Sequence, residues 1–168
     1  MIEDARDGNL AMVQQLLNTG VDPNIQDNYG ETALMNASLN GNTEIIQLLL
    51  DAGVDPNMQS NYGRIALMMA SEMNYTEIVQ LLLDAGANPY IQDNQGRTAL
   101  MAAKRWNNTE ITKLLTRVIF NPVLKRHKVK QLKKRTESIN FRFLLRQILN
   151  GKCPYLRKER VVALNRGI

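Results

Sequence analysis

The sequence predicts an all-α solenoid of helix pairs, joined by hairpin-shaped loops and stacked in a row, with a basic helical extension behind it. Three observations carry that prediction. The stretch starting Gly20–Val21–Asp22–Pro23–Asn24 returns from Gly53 and again from Gly86, each time 33 residues on, and a fixed period of that length marks a stacked repeat. Other landmarks keep the register: Gly30, Gly63 and Gly96; Ala37, Ala70 and Ala103; Leu49, Leu82 and Leu115. Between them, apolar residues recur at helical spacing, as in Ile45, Ile46, Leu48, Leu49 and Leu50.

Each element follows from local chemistry. Residues 1–19 read as a partial capping repeat, with the closing turn of an inner helix and a complete outer helix from Leu10. Full repeats follow at 20–52, 53–85 and 86–119. Asp22–Pro23, Asp55–Pro56 and Asn88–Pro89 start each hairpin, since proline fixes φ and Asp or Asn bonds nearby backbone. Thr32 and Thr98 stand at inner-helix N-caps, where a hydroxyl accepts from an unpaired N–H. Ile65 holds that place in the middle repeat and cannot cap, a change that costs about 1 kcal/mol. Asn42 or Thr43 caps the outer helix, and Glu44 in its first turn suits the helix dipole. Asn74 and Asn107 replace Gly41 at the inter-helix turn, where asparagine is the best substitute for glycine in a left-handed conformation. The last outer helix spans about Thr109 to Ile119, before Asn121–Pro122.

Over residues 1–116 the sequence resembles the ankyrin-repeat family, on the 33-residue period, the hairpin glycines and the tetrapeptides Thr32–Ala33–Leu34–Met35, Ile65–Ala66–Leu67–Met68 and Thr98–Ala99–Leu100–Met101. These depart from the family's Thr-Pro-Leu-His pattern. Methionine fills the histidine's space without its hydrogen bonds, so the array should be folded but modestly stable, with its middle opening first. The family binds other macromolecules through hairpin tips and the exposed side of the inner helices. By that resemblance the partner-binding positions are Asn28, Tyr29, Glu31, Leu39 and Asn40 in the first full repeat, Asn61, Tyr62, Arg64, Glu72 and Met73 in the second, and Asn94, Gln95, Arg97, Arg105 and Trp106 in the third. The opposing reading packs Leu39, Met73 and Trp106 against the preceding repeat or the tail. Asn24 and Asn57 stand where some family members are hydroxylated on asparagine, although Pro23 and Pro56 replace the usual preceding residue.

Charge divides the chain. Residues 1–116 hold six basic and fourteen acidic residues, and residues 117–168 hold fifteen basic and two acidic, so the overall +5 conceals two opposed parts. The extension from residue 120 to 168 carries a cationic run (Lys125, Arg126, Lys128, Lys130, Lys133, Lys134 and Arg135) and then an amphipathic stripe of Phe141, Leu144, Leu145 and Ile148. A short final helix is expected within 155–168. The amphipathic helix would close the open end of the array, because an uncovered end exposes apolar surface. The cationic run is a candidate nuclear-import or polyanion-binding segment. A ubiquitin-ligase adaptor role for residues 136–168 is a further alternative, although no motif matches one.

Catalytic classes find no support in the sequence. His127, the sole histidine, lies in a lysine-rich run that suits neither a triad nor a histidine-based metal site, and the single cysteine, Cys153, precludes a thiolate cluster. No phosphate-binding glycine loop and no nucleophile elbow occur. The sequons at Asn36, Asn74 and Asn107 coincide with helix and turn positions. One cysteine, short apolar runs and the acidic Met1–Ile2–Glu3–Asp4 imply an intracellular protein, cytoplasmic or nuclear, without a secretion signal or membrane span. The expected protein is a monomeric adaptor or scaffold, without cofactor or metal, that binds a protein partner; nucleic-acid binding is the secondary reading.

Overall fold

The computed structural model describes residues 1–120. The expected helices of the extension and its seven candidate cations, Lys125 to Arg135, lie outside the described residues. Four helix pairs follow one another: α1 (Ile2–Asp7) with α2 (Leu10–Asn18), α3 (Ala33–Asn40) with α4 (Thr43–Asp51), α5 (Ala66–Glu72) with α6 (Thr76–Asp84), and α7 (Ala99–Arg105) with α8 (Thr109–Phe120). The inner helices α1, α3, α5 and α7 pack successively on one another, and the outer helices α2, α4, α6 and α8 form a second row behind them. Among the described residues there is no strand. The first pair is fuller than a closing turn, because α1 is a six-residue helix whose Ala5 is buried where it meets α3.

The core is one apolar layer between the rows. Leu34, Leu67, Ile45, Ile46, Leu49, Ile78, Leu82, Ile111 and Leu115 are buried within it. Short inner helices rich in alanine let neighbouring repeats approach closely, while leucine and isoleucine from the outer helices fill the volume behind. A single pair leaves both faces uncovered, so adjacent repeats supply the burial that each one needs. The methionines at the family's histidine position follow this logic. Met35 and Met68 are 1% and 2% exposed under the next repeat, whereas Met101, on the last pair, is 53% exposed.

Caps and turns account for the helix limits. The Thr32 hydroxyl accepts from the Met35 N–H at 3.2 Å, and Thr98 accepts from Met101 at 3.4 Å. Ile65 makes no cap bond but is itself buried, so apolar contact partly offsets the lost hydrogen bond. Asn74 and Asn107 are left-handed at φ 63° and 57°, as the turn demands.

The outer-helix cap differs from expectation. Asn42 sits at the N-cap of α4 but makes no capping bond. Its amide donates instead to the Ala5 and Arg6 carbonyls at the end of α1, at 2.7 and 3.0 Å. Asn108 repeats the bridge, donating to Ser71 and Glu72 at 2.7 and 3.1 Å. These contacts satisfy carbonyls that a helix end leaves unpaired. Between them, position 75 is tyrosine, and its ring covers Gly41 so closely that a β-carbon there would lie 2.8 Å from Cζ.

Removing the Asn108 bridge by Asn108→Ala should lower unfolding free energy by about 1–3 kcal/mol, since the buried Ser71 carbonyl and the part-buried Glu72 carbonyl lose a partner. The exposed Asn40 amide bonds only within α3, and Asn40→Ala should stay within about 0.5 kcal/mol. Urea unfolding followed by circular dichroism measures both.

Candidate functional site: the hairpin tips and inner-helix groove

The hairpins form a continuous ledge along the inner helices. Each closes on itself: the N–H groups of Asp27, Ser60 and Asp93 donate to the carbonyls of Glu31, Arg64 and Arg97 at 2.9–3.0 Å. Each is also tied to its neighbour. The Asn61 N–H donates to the Tyr29 carbonyl at 2.9 Å and Asn94 to Tyr62 at 3.0 Å. Their amide side chains add a parallel pair, Asn61 to the Asn28 carbonyl and Asn94 to the Asn61 carbonyl, both at 3.0 Å. Gln26 and Gln59 reach the Gln59 and Gln92 carbonyls of the following repeats. Gly30 is required here, because at φ 71° a β-carbon would lie 2.7 Å from the Asn61 nitrogen.

Asn24 and Asn57 belong to the same ladder. Their side-chain oxygens accept from the Asp55 and Asn88 N–H groups at 3.0 and 2.7 Å. The third repeat has Tyr90 at this position, and its hydroxyl donates to the Ile119 carbonyl near the end of α8 at 3.2 Å.

Of the sequence-predicted binding positions, the structure gives several an internal task. Asn61 and Asn94 spend their side-chain amides on the ladder. The Glu31 carboxylate accepts from the Asn36 amide at 3.2 Å, and Leu39 is half-buried against the core. Arg64 and Glu72 form an ion pair with each other, each about one quarter exposed. Tyr29, Tyr62, Met73 and Trp106 project into solvent at 63%, 60%, 46% and 60% exposure. Asn28, Asn40, Gln95 and Arg105 are exposed as well. Tips and inner-helix ends thus present aromatic, methionine and arginine side chains, types enriched at the centre of protein interfaces.

Two features of the last repeat escape a reading of the sequence. Asp93 is a buried carboxylate that accepts from the Gln95 and Arg97 N–H groups, both at 2.9 Å, and from the Arg97 Nε at 2.7 Å. Burial pushes its pKa up, but the bonds from Arg97 and Gln95 outweigh that and hold it below the ordinary carboxylate value. The spacing Asp93–Arg97 is the available signal. Lys104 is exposed at the register position where Ser38 and Ser71 are buried. That polar substitution fits a terminal pair whose outer face meets solvent.

Among the described residues no group of His, Cys, Asp and Glu could hold a metal ion, and no helix is long and apolar enough to cross a membrane.

The stability that Asp93 supplies should be full above the ordinary carboxylate pKa and decline as pH falls through its lowered value. Asp93→Ser, the residue that Ser60 supplies one repeat earlier, should cost about 1–2 kcal/mol at neutral pH and flatten the acid limb. Urea midpoints at neutral and acid pH check both.

Comparison with known proteins adds to this geometry. The model for ankyrin repeats in three copies matches residues 1–93, and that for a single ankyrin repeat matches residues 95–118. No curated protein matches the chain.

Proposed function

The chain belongs to the ankyrin-repeat family, whose repeats form protein-interaction domains, and from that premise we propose that it is a non-enzymatic adaptor or scaffold inside the cell. One protein partner lies along the hairpin tips and the exposed ends of α3, α5 and α7. The observation that carries this reading is where the repeats differ. Framework positions barely change: Gly30, Gly63 and Gly96 are identical, as are Leu34, Leu67 and Leu100. Three positions of the inner-helix groove change, from Glu31 to Arg64 and Arg97, from Leu39 to Glu72 and Arg105, and from Asn40 to Met73 and Trp106, whereas the tip asparagines 28, 61 and 94 are kept. A constant scaffold with a varying rim suits recognition by shape and charge. Adding a partner here requires no rearrangement of the core, because the rim side chains project from backbone that the ladder already fixes.

A second reading rests on the fifteen basic residues after position 116, which would bind nucleic acid or another anionic surface through residues 123–160. Counterion release makes such binding fall steeply with salt, so a salt titration of that segment against a polyanion separates it from groove recognition.

Replacing Tyr62, Arg64 and Trp106 together with alanine should abolish partner capture while leaving helicity intact. Affinity capture from cell extract, comparing the full chain, the triple variant and a chain ending at Ile119, checks the assignment. Capture that survives the triple variant but is lost from the shortened chain would move the site to the extension.

A further inference from the structure

In the second repeat, positions 64 and 72 form an acid–base pair, the Arg64 guanidinium bonding the Glu72 carboxylate. The same two register positions in the third repeat are Arg97 and Arg105. The arginine is retained and its acid is replaced by a second cation. Asp93 accepts from the Arg97 Nε, and no bond from the terminal nitrogens of Arg97 is found among the described residues. Arg105 is exposed, and no described carboxylate pairs with it. Lys104 and Trp106 flank it, both exposed.

An array of net negative charge therefore gathers three cations, Arg97, Lys104 and Arg105, within nine residues of its last repeat. Asp93 partly neutralises Arg97, whereas Lys104 and Arg105 pair with no described carboxylate.

We propose that Arg97 and Arg105 hold a carboxylate side chain of an acidic peptide segment, in the place that Glu72 occupies one repeat earlier, with an apolar neighbour of that side chain seated on Trp106. Planar guanidinium groups match a carboxylate with paired N–H donors. The tryptophan supplies the apolar anchor on which interface affinity concentrates. The inference rests on reading the groove as a protein-binding surface and adds the chemistry of what binds there. It also gives the bound segment a direction, its acidic part at the third repeat, since the first repeat places Glu31 and Leu39 at the equivalent positions.

Trp106 is the sole tryptophan, so its emission reports from this place alone. The full-length chain is titrated with a synthetic peptide of alternating Glu and Leu, and with counterparts carrying Gln, Lys or phosphoserine in place of Glu. The Glu peptide should shift Trp106 emission and bind about tenfold tighter than the Gln peptide. Arg105→Glu, at an exposed position, should keep the circular dichroism spectrum and, by recreating with Arg97 the neutral pair of the second repeat, abolish the preference for the Glu peptide over the Gln peptide. Exchanging Lys133, Lys134 and Arg135 for Gln should leave the Trp106 response in place.

An unchanged preference in Arg105→Glu, or binding of the Glu peptide without a Trp106 response, would overturn the proposal. So would a response to the phosphoserine peptide alone. If Arg105→Glu still captures the cellular partner while the Tyr62, Arg64 and Trp106 triple variant does not, the groove stands as the binding surface and the carboxylate site falls.

Discussion

Everything in the described array depends on contacts that reach from one repeat to the next. A helix pair of this composition cannot cover its own apolar faces, so each repeat is stable only while its neighbours are in place. Hydrogen bonds across the joints recur with the 33-residue period: Asn61 N–H to the Tyr29 carbonyl and Asn94 to Tyr62, and the Gln26 and Gln59 amides to the following hairpins. Register is thereby set twice, by packing of the helices and by polar contacts along the hairpins. A shift of one residue would break both at once.

That dependence explains how the groove can vary. Backbone placement is fixed by groups that are almost identical in every repeat, so the side chains above it are free to change. The changes are not random in charge. The first repeat presents Glu31, the second an internally neutralised Arg64–Glu72 pair, and the third two arginines beside an exposed tryptophan. Polarity therefore runs along the row of inner helices. The joints between repeats are also unequal: Asn42 and Asn108 bridge theirs with an amide, whereas Tyr75 closes the middle joint by laying its ring over Gly41. Coupling along the array thus uses polar contact at two joints and aromatic packing at the one between them.

Much of this was legible in the residues. The period locates the full helix pairs, and the asparagines at 74 and 107 read as left-handed because they stand in register with Gly41 at the inter-helix turn. Sequence is less informative about what a polar side chain bonds to across a joint. Asn42 reads as an N-cap because asparagine favours that place, yet its amide finds better acceptors at the end of the preceding inner helix. Asn61 and Asn94 sit at solvent-facing tips and read as recognition residues, but their side chains help to build the ladder. The recurrence of asparagine at 28, 61 and 94 was the signal, since a residue kept in every repeat serves the framework more often than the partner. The Arg64–Glu72 bond spans eight residues and lies beyond any helical spacing rule; only the fold brings those side chains together.

Hairpin tips of adjacent repeats are bound to one another and so hold the rim rigid. Residue-resolved hydrogen exchange of the Asn61 and Asn94 amides tests it most directly. Each donates across a joint, so both should exchange as slowly as helix amides in α5 and open together with them. Exchange at the rate of unprotected loop amides, while α5 stays protected, would show that the tips move independently and that the ladder does not fix the rim.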